Sequence, residues 1–106
     1  MYNKKQVTIH ESASITGHVV IGDGGEVGQG VTINGPVVIG KDCRLSDGAV
    51  IENSILWDGV TIGENSHINR CIISSGTVIA ADQNIEDNIV TPAETVTLNL
   101  PASAGK

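Results

Sequence analysis

The sequence predicts an all-β fold: a single parallel β-solenoid of triangular section, about five coils long. Three observations predict it. Aliphatic residues recur at every sixth position, that step shortens at a regular interval, and Ile, Val and Gly dominate a composition almost free of aromatics.

The composition comes first. The 106 residues include 13 Gly, one Trp, one Tyr and no Phe, so aromatic packing cannot hold the core. Ile and Val are stiff, β-branched and suited to strands. Gly suits tight corners. Many short strands joined by many tight corners follow. A chain of this length forms one small domain and needs a regular core or a partner to bury enough surface.

The repeat decides the architecture. From Ile9, steps of six reach Ile15, Ile21, Val27, Ile33, Ile39, Leu45 and Ile51. A helical period of 3.6 does not produce this, and simple alternation does not require it. The step then shortens to five, reaching Leu56, and continues through Ile62, Ile68, Ile73, Ile79, Ile85, Val90 and Val96. The short steps begin at Ile51, Ile68 and Ile85, seventeen residues apart. Three steps therefore make one coil, of eighteen residues at first and seventeen from Ile51. A coil has three flat sides and three corners, with the stepped aliphatics inward.

The inward stacks read Ile15-Ile33-Ile51-Ile68-Ile85, Ile21-Ile39-Leu56-Ile73-Val90, and Ile9-Val27-Leu45-Ile62-Ile79-Val96. One coil cannot bury its own inner face, whereas stacked coils can. Each fully buried aliphatic contributes roughly 1.5–3 kcal/mol, set against the ordering entropy of the chain. Small or polar residues follow many of the inward positions, such as Gly22, Gly28, Asn34, Gly40 and Gly63, and Pro36 and Pro92 fall at expected corners. The coils cover roughly residues 7–100 of one domain, 1–106, and 101–106 form a short tail.

Charge and cysteine usage exclude several classes. A net charge of −6 disfavours nucleic acid, which needs a basic surface, and anionic membranes. The apolar runs are too short to span a bilayer. The start, Met1-Tyr2-Asn3-Lys4-Lys5, is polar, without an apolar leader segment. Cys43 and Cys71 have no motif spacing and read as free thiols. A cytoplasmic location is expected, with no nucleic-acid or membrane partner and no cofactor.

The segments IGKDCR (39–44), IGENSH (62–67) and VGQGVT (27–32) resemble the bacterial transferase hexapeptide repeat. That resemblance covers roughly Val7 to Val96 and implies a left-handed parallel β-helix. The stretch IENSILWDGVTIGENSHINRCIISSGTVI (51–79) is similar to the C-terminal β-helix domain of sugar-nucleotide pyrophosphorylases, the mannose-1-phosphate guanylyltransferases and glucose-1-phosphate adenylyltransferases. In those enzymes the chemistry lies in an N-terminal domain with a Gly-rich basic loop. Gly22-Asp23-Gly24-Gly25 is Gly-rich but acidic, and it falls at a solenoid corner. The resemblance therefore carries over a fold and an assembly role, and no catalytic residue.

Hexapeptide β-helices also include acyltransferases and zinc carbonic anhydrases, and both need histidine. An acyltransferase needs a His to accept a proton from the acceptor group. The candidates are His10, His18 and His67, and His10 is set aside because it falls at the fraying start of the solenoid. No step exceeds six residues, so there is no loop excursion to build an acceptor site, and a solvated surface His is the simpler reading. A zinc site needs three His converging at about 2.0–2.1 Å. The equivalent of His18 one coil on is Pro36, and His67 lies nearly three coils away, so no metal is expected.

Two features point to assembly. Trp57 follows inward Leu56, with Gly40 and Ser74 as its column neighbours, and outward Trp is enriched at interfaces. The solenoid ends leave strand edges that must be capped or paired. The last strand, ETVTLNL (94–100), is apolar at Val96, Leu98 and Leu100. The expected protein is a non-catalytic structural or oligomerising module, a homo-oligomer, with a trimer through flat faces ahead of an end-to-end dimer. The alternative is a small acyltransferase using His18 or His67.

Overall fold

A computed structural model describes residues 7–92 and the backbone of residues 95–97. The described elements are all strands, three to a coil. The first coil holds β1 (Thr8–Ile9), β2 (Ser14–Thr16) and β3 (Val19–Ile21), and the second β4 (Glu26–Val27), β5 (Thr32–Asn34) and β6 (Val37–Ile39). The third holds β7 (Arg44–Leu45), β8 (Val50–Glu52) and β9 (Ile55–Leu56), and the fourth β10 (Thr61–Ile62), β11 (His67–Asn69) and β12 (Ile72–Ile73). The fifth holds β13 (Val78–Ile79), β14 (Asn84–Glu86) and β15 (Asn88–Val90), and β16 (Thr95–Thr97) follows it.

Every third strand pairs in parallel, giving three faces. The first face orders β1-β4-β7-β10-β13, the second β2-β5-β8-β11-β14, and the third β3-β6-β9-β12-β15-β16. The register aligns the stepped aliphatics in the predicted stacks, for example Ile33↔Ile51↔Ile68↔Ile85. Their side chains form the core: Ile33, Ile51, Ile62, Ile68 and Ile73 are 0% exposed. Only the end positions Ile9, Ile15 and Ile85 are partly open. A second, smaller layer sits two residues before each aliphatic and includes Val31, Val37, Cys43, Ala49 and Val60. Its polar members bond internally, as buried polar groups must. Ser54 Oγ donates to Glu52 O (2.6 Å) and accepts from Cys71 N (3.0 Å). Ser66 Oγ donates to Ala80 O (2.7 Å) and accepts from Gln83 N (3.1 Å).

The corners explain the seventeen-residue coil. Between the second and third faces the early corners hold two residues, Gly17-His18 and Gly35-Pro36. From the third coil one residue is lost. The chain then turns on a single left-handed residue, Asn53 (φ 48°), Arg70 (φ 54°) or Asp87 (φ 56°). Each corner donates one rung to the coil before it, as in Asn53 N to Asn34 O (3.3 Å) and Asp87 N to Asn69 O (3.1 Å). Asn and Asp tolerate this conformation, whereas Arg strains there. Arg70 is held by a two-pronged ion pair to Asp87 one coil on (2.6 and 3.0 Å).

One expectation is overturned. Val96 does not add a sixth member to the first-face stack. Strand β16 runs antiparallel to β15 on the third face, with Val96 in register with Ile89. The corner that leaves the third face needs a left-handed residue, filled by Gly24, Asp42, Gly59 and Gly76 in the first four coils. By count along the sequence the next such position is Ala93, which lies outside the described residues. The hexapeptide course ends at Val90. Leu98 and Leu100 lie outside the described residues, as does the side chain of Val96.

Candidate functional site

With the inward stacks aliphatic and the smaller inner layer buried, the side chains open to a ligand are those of the outward columns and corners. The three faces carry different ones.

The second face is polar. Thr16, Asn34, Glu52, Asn69 and Glu86 share one column by strand register. Three of them form a hydrogen-bonded chain. Thr16 Oγ1 donates to Asn34 Oδ1 (2.6 Å), and Asn34 Nδ2 donates to Glu52 Oε2 (3.0 Å). From the neighbouring column His67 Nε2 meets Glu52 Oε1 at 2.9 Å. The bond from His67, and then that from Asn34, hold the Glu52 carboxyl below the usual carboxylate range. His67 is half-buried, with Val50 and Asn84 as its column neighbours. The structure does not join His18 to it, for His18 is exposed on the Gly17-His18 corner of the first coil. Sequence reading found His67 but missed Glu52. The signal was a separation of fifteen residues, one coil back and two along, which places the pair diagonally.

The first face holds a shallow groove of about 410 Å³ running over Gly28 and Ser46. Its rims carry Glu26, Arg44, Asp47 and Glu64. Arg44 Nε pairs with Glu26 Oε1 at 3.1 Å, and Asp47 Oδ1 accepts the Gln29 amide at 2.9 Å. Glu26, Arg44 and Asp47 are thereby engaged in joining adjacent coils. No three His, Cys, Asp or Glu side chains among the described residues are grouped to hold a metal ion.

The third face is apolar. In each strand the residue before the inward aliphatic points out, and register aligns these residues as Val20↔Val38↔Ile55↔Ile72↔Ile89. Val20 is 56% exposed, Val38 45%, Ile55 42% and Ile72 39%. Trp57 follows Leu56 at the corner that leaves this face and is 56% exposed. Its backbone donates to Ile73 O (2.9 Å), as Gly40 N does to Leu56 O (2.8 Å). Trp57 therefore shares a column with Gly40 and Ser74, as its spacing predicts. Sequence reading singled out Trp57 but not the aliphatic column beside it. That column was written in the pairs and triplets VVI, VVI, IL, II and IV.

Residues 1–99 match the family model of the EIF2B subunit epsilon LbH domain, a left-handed β-helix. The chain belongs to that left-handed β-helix family. The assignment supplies the handedness that spacing alone leaves open. Among curated relatives, a glucose-1-phosphate adenylyltransferase from Rhodopirellula baltica is 41% identical over 61 residues, covering 54% of this chain and 14% of the relative. A UTP–glucose-1-phosphate uridylyltransferase from Synechocystis is 28% identical over 90 residues, covering 78% of this chain and 23% of the relative. The chain thus spans less than a quarter of these relatives' length. Among solved structures, PerB from Caulobacter crescentus in complex with CoA and GDP-perosamine is 20% identical with a TM-score of 0.42, covering 86% of this chain and 56% of that one.

Proposed function

We propose that this chain is a structural β-helix module that assembles with copies of itself, and that it serves a sugar-phosphate nucleotidyltransferase-like protein without a catalytic centre of its own. The observation that carries the reading is the aliphatic column of the third face. Soluble monomers rarely expose contiguous apolar patches of this kind, and such patches mark interaction sites. The relatives' names support the nucleotidyltransferase link, and the net charge of −6 fits a chain with no nucleic-acid partner. Two buried free thiols fit a reducing, cytoplasmic setting.

Association through a face is favoured over association through the ends. Of the six large hydrophobics exposed among the described residues, four stand on the third face, Trp57 stands at the corner that follows it, and Val78 stands on the first. A three-fold ring joins two different patches of each protomer, whereas a two-fold pair uses one patch twice. This distribution favours the pair over the trimer placed first on sequence grounds. Light scattering across a wide concentration range tests the assembly. A homo-oligomer is expected, and a monomer at every concentration would sink the reading.

One observation favours the acyltransferase alternative. Glu52, 2.9 Å from His67, could orient that imidazole as a base, an arrangement His18 lacks. Calorimetry with acetyl-CoA on the native chain and on His67→Ala separates the two readings. Absence of binding removes the acyltransferase.

A further inference from the structure

We infer that Ser12 is an acylation site, activated by His10 and open to small uncharged esters. This goes beyond the structural role proposed above and does not depend on it.

Ser12 and His10 stand on the corner that follows β1. Three hydrogen bonds there fix where one proton lies. The Ser12 amide donates to His10 Nδ1 (3.0 Å). An amide N–H donates and does not accept, so Nδ1 carries a lone pair and the neutral ring has its hydrogen on Nε2. The Gly30 amide, one coil on, donates to Ser12 Oγ (2.9 Å). The hydroxyl accepts there, and its own hydrogen points to His10 Nδ1, 2.8 Å away. A hydroxyl nucleophile thus has a base within hydrogen-bond reach, and a third group orients that base.

Other hydroxyls of the chain are placed differently. Ser54, Ser66, Ser74 and Thr77 donate to backbone carbonyls, which take no proton away. Ser54, Ser66 and Thr77 are also buried. Ser12 and His10 are exposed, so an acyl donor reaches the pair from solvent. The corner itself departs from those above it. In later coils the matching amide bonds a backbone carbonyl: Gly48 N to Gln29 O, Asn65 N to Asp47 O and Asp82 N to Glu64 O. Between the first two coils the Ser12 hydroxyl takes that bond instead.

The step is an acyl transfer from an activated ester. Ser12 Oγ attacks the acyl carbon as its proton passes to His10 Nδ1. The bond from that carbon to the leaving oxygen breaks, and the imidazolium returns the proton to the departing oxygen. The products are O-acyl Ser12 and the free alcohol, with nothing oxidised or reduced.

Charge selects the donor. The rungs His10 N to Val27 O and Gly28 N to Leu45 O put His10 in one column with Gly28 and Ser46, which line the first-face groove. The pair therefore stands at the first-coil end of that groove. Glu26, Asp47 and Glu64 edge the groove, and Glu11 lies between the two residues of the pair. Carboxylates on this side repel anionic acyl donors and leave uncharged esters.

General-base assistance is worth about 100- to 10,000-fold, and sharing the Nδ1 lone pair between two donors puts this pair at the low end, about 100-fold. The test treats the folded full chain with p-nitrophenyl acetate, follows p-nitrophenolate release and locates the acetyl group by peptide mass spectrometry. Ser12 is expected to be acetylated ahead of the other described hydroxyls. Its labelling is expected to slow about 100-fold in His10→Ala and in the native chain unfolded by urea. The carboxylate-bearing analogue, 4-acetoxy-3-nitrobenzoate, is expected to label it more slowly than the uncharged ester. Ser12→Ala is expected to lose the initial phenolate burst. Cys43 and Cys71 are buried in the folded chain and do not compete.

The comparison of folded and urea-unfolded native chain needs no variant, so the inference stays testable if a substitution disturbs folding. Ser12 left unlabelled, or labelled as fast in His10→Ala or in urea, overturns it. A burst that persists in Ser12→Ala makes the His10 imidazole the nucleophile and overturns it too. Equal labelling by the charged and uncharged esters overturns the choice of donor.

Discussion

Replacing Ile51 by alanine tests the stacking directly. Ile51 is 0% exposed and lies between Ile33 and Ile68, which are also 0% exposed. Truncation removes three carbons, worth about 2.4 kcal/mol at roughly 0.8 kcal/mol per buried carbon. The hole cannot close, because the rungs on both sides are fixed in register, Thr32↔Val50↔His67. A residual cavity of about 50 Å³ adds about 1.2 kcal/mol. The total is about 3.6 kcal/mol, a large share of the stability of a domain this size. Ile85 occupies the same stack one coil beyond Ile68, but it is only partly buried and has no described member above it. Ile85→Ala should cost about half as much. Equilibrium denaturation followed by circular dichroism reads both values, with each kcal/mol moving the melting midpoint by roughly 4–8 °C. Equal costs at Ile51 and Ile85 would refute the stacked register, because the difference depends on one side chain having neighbours on both sides.

Three further outcomes are expected. In carbon-detected NMR titration, Glu52 should ionise below the ordinary carboxylate range, and His67→Ala should move its midpoint back up. A depressed carboxyl contributes stability above its unfolded pKa and loses it as pH falls through the folded one, so the two variants should converge in stability in acid. An unshifted midpoint in the native chain would rule out the His67–Glu52 bond. Gly59→Ala should cost about 1–2 kcal/mol from backbone strain alone, since φ is 71° and the nearest atom to a new Cβ is Gly76 N at 3.8 Å. Gly40→Ala should cost more in the same denaturation assay, because its Cβ would stand 2.8 Å from the Asp58 nitrogen and push two coils apart. Burial pushes the thiols of Cys43 and Cys71 up, so neither should react with a colorimetric disulfide reagent until the chain unfolds.

The inward half of the fold was legible because sterics make it periodic. A coil that must place one aliphatic on each side writes Ile or Val at a fixed step, and the stacks from Ile9 to Val90 follow from counting. The slip at Ile51 was legible too, though its cause was not. That cause lies in the dihedral angles of Asn53, Arg70 and Asp87, and nothing in the letter Arg announces a left-handed residue. The end of the solenoid was misread at Val96 because the step continues in the letters after the strand direction has reversed, with β16 antiparallel to β15. In the sequence the count that gives Gly24, Asp42, Gly59 and Gly76 next gives Ala93, and that change of letter was the available signal. Glu52 escaped because its bond to His67 runs diagonally between columns, and a one-dimensional period shows only the vertical neighbours.

The outward half carries what distinguishes this solenoid from others. Any triangular β-helix needs the same inward aliphatics, so those positions specify the fold and little else. The residues that point out from the strands are free of that demand. Here they have diverged by face. On the second face they are hydrogen-bonding groups that link coil to coil, Thr16 to Asn34 to Glu52 to His67. On the first they are charged rims, with Arg44 paired to Glu26. These bonded groups take their partners from within the chain. On the third face the outward residues are β-branched aliphatics, with Trp57 at the corner that follows, and among the described residues nothing of this chain covers them. An exposed aliphatic on a single coil would need no explanation. The same choice repeated in register on four consecutive coils does need one. Association with a second copy through that face, as proposed above, supplies it.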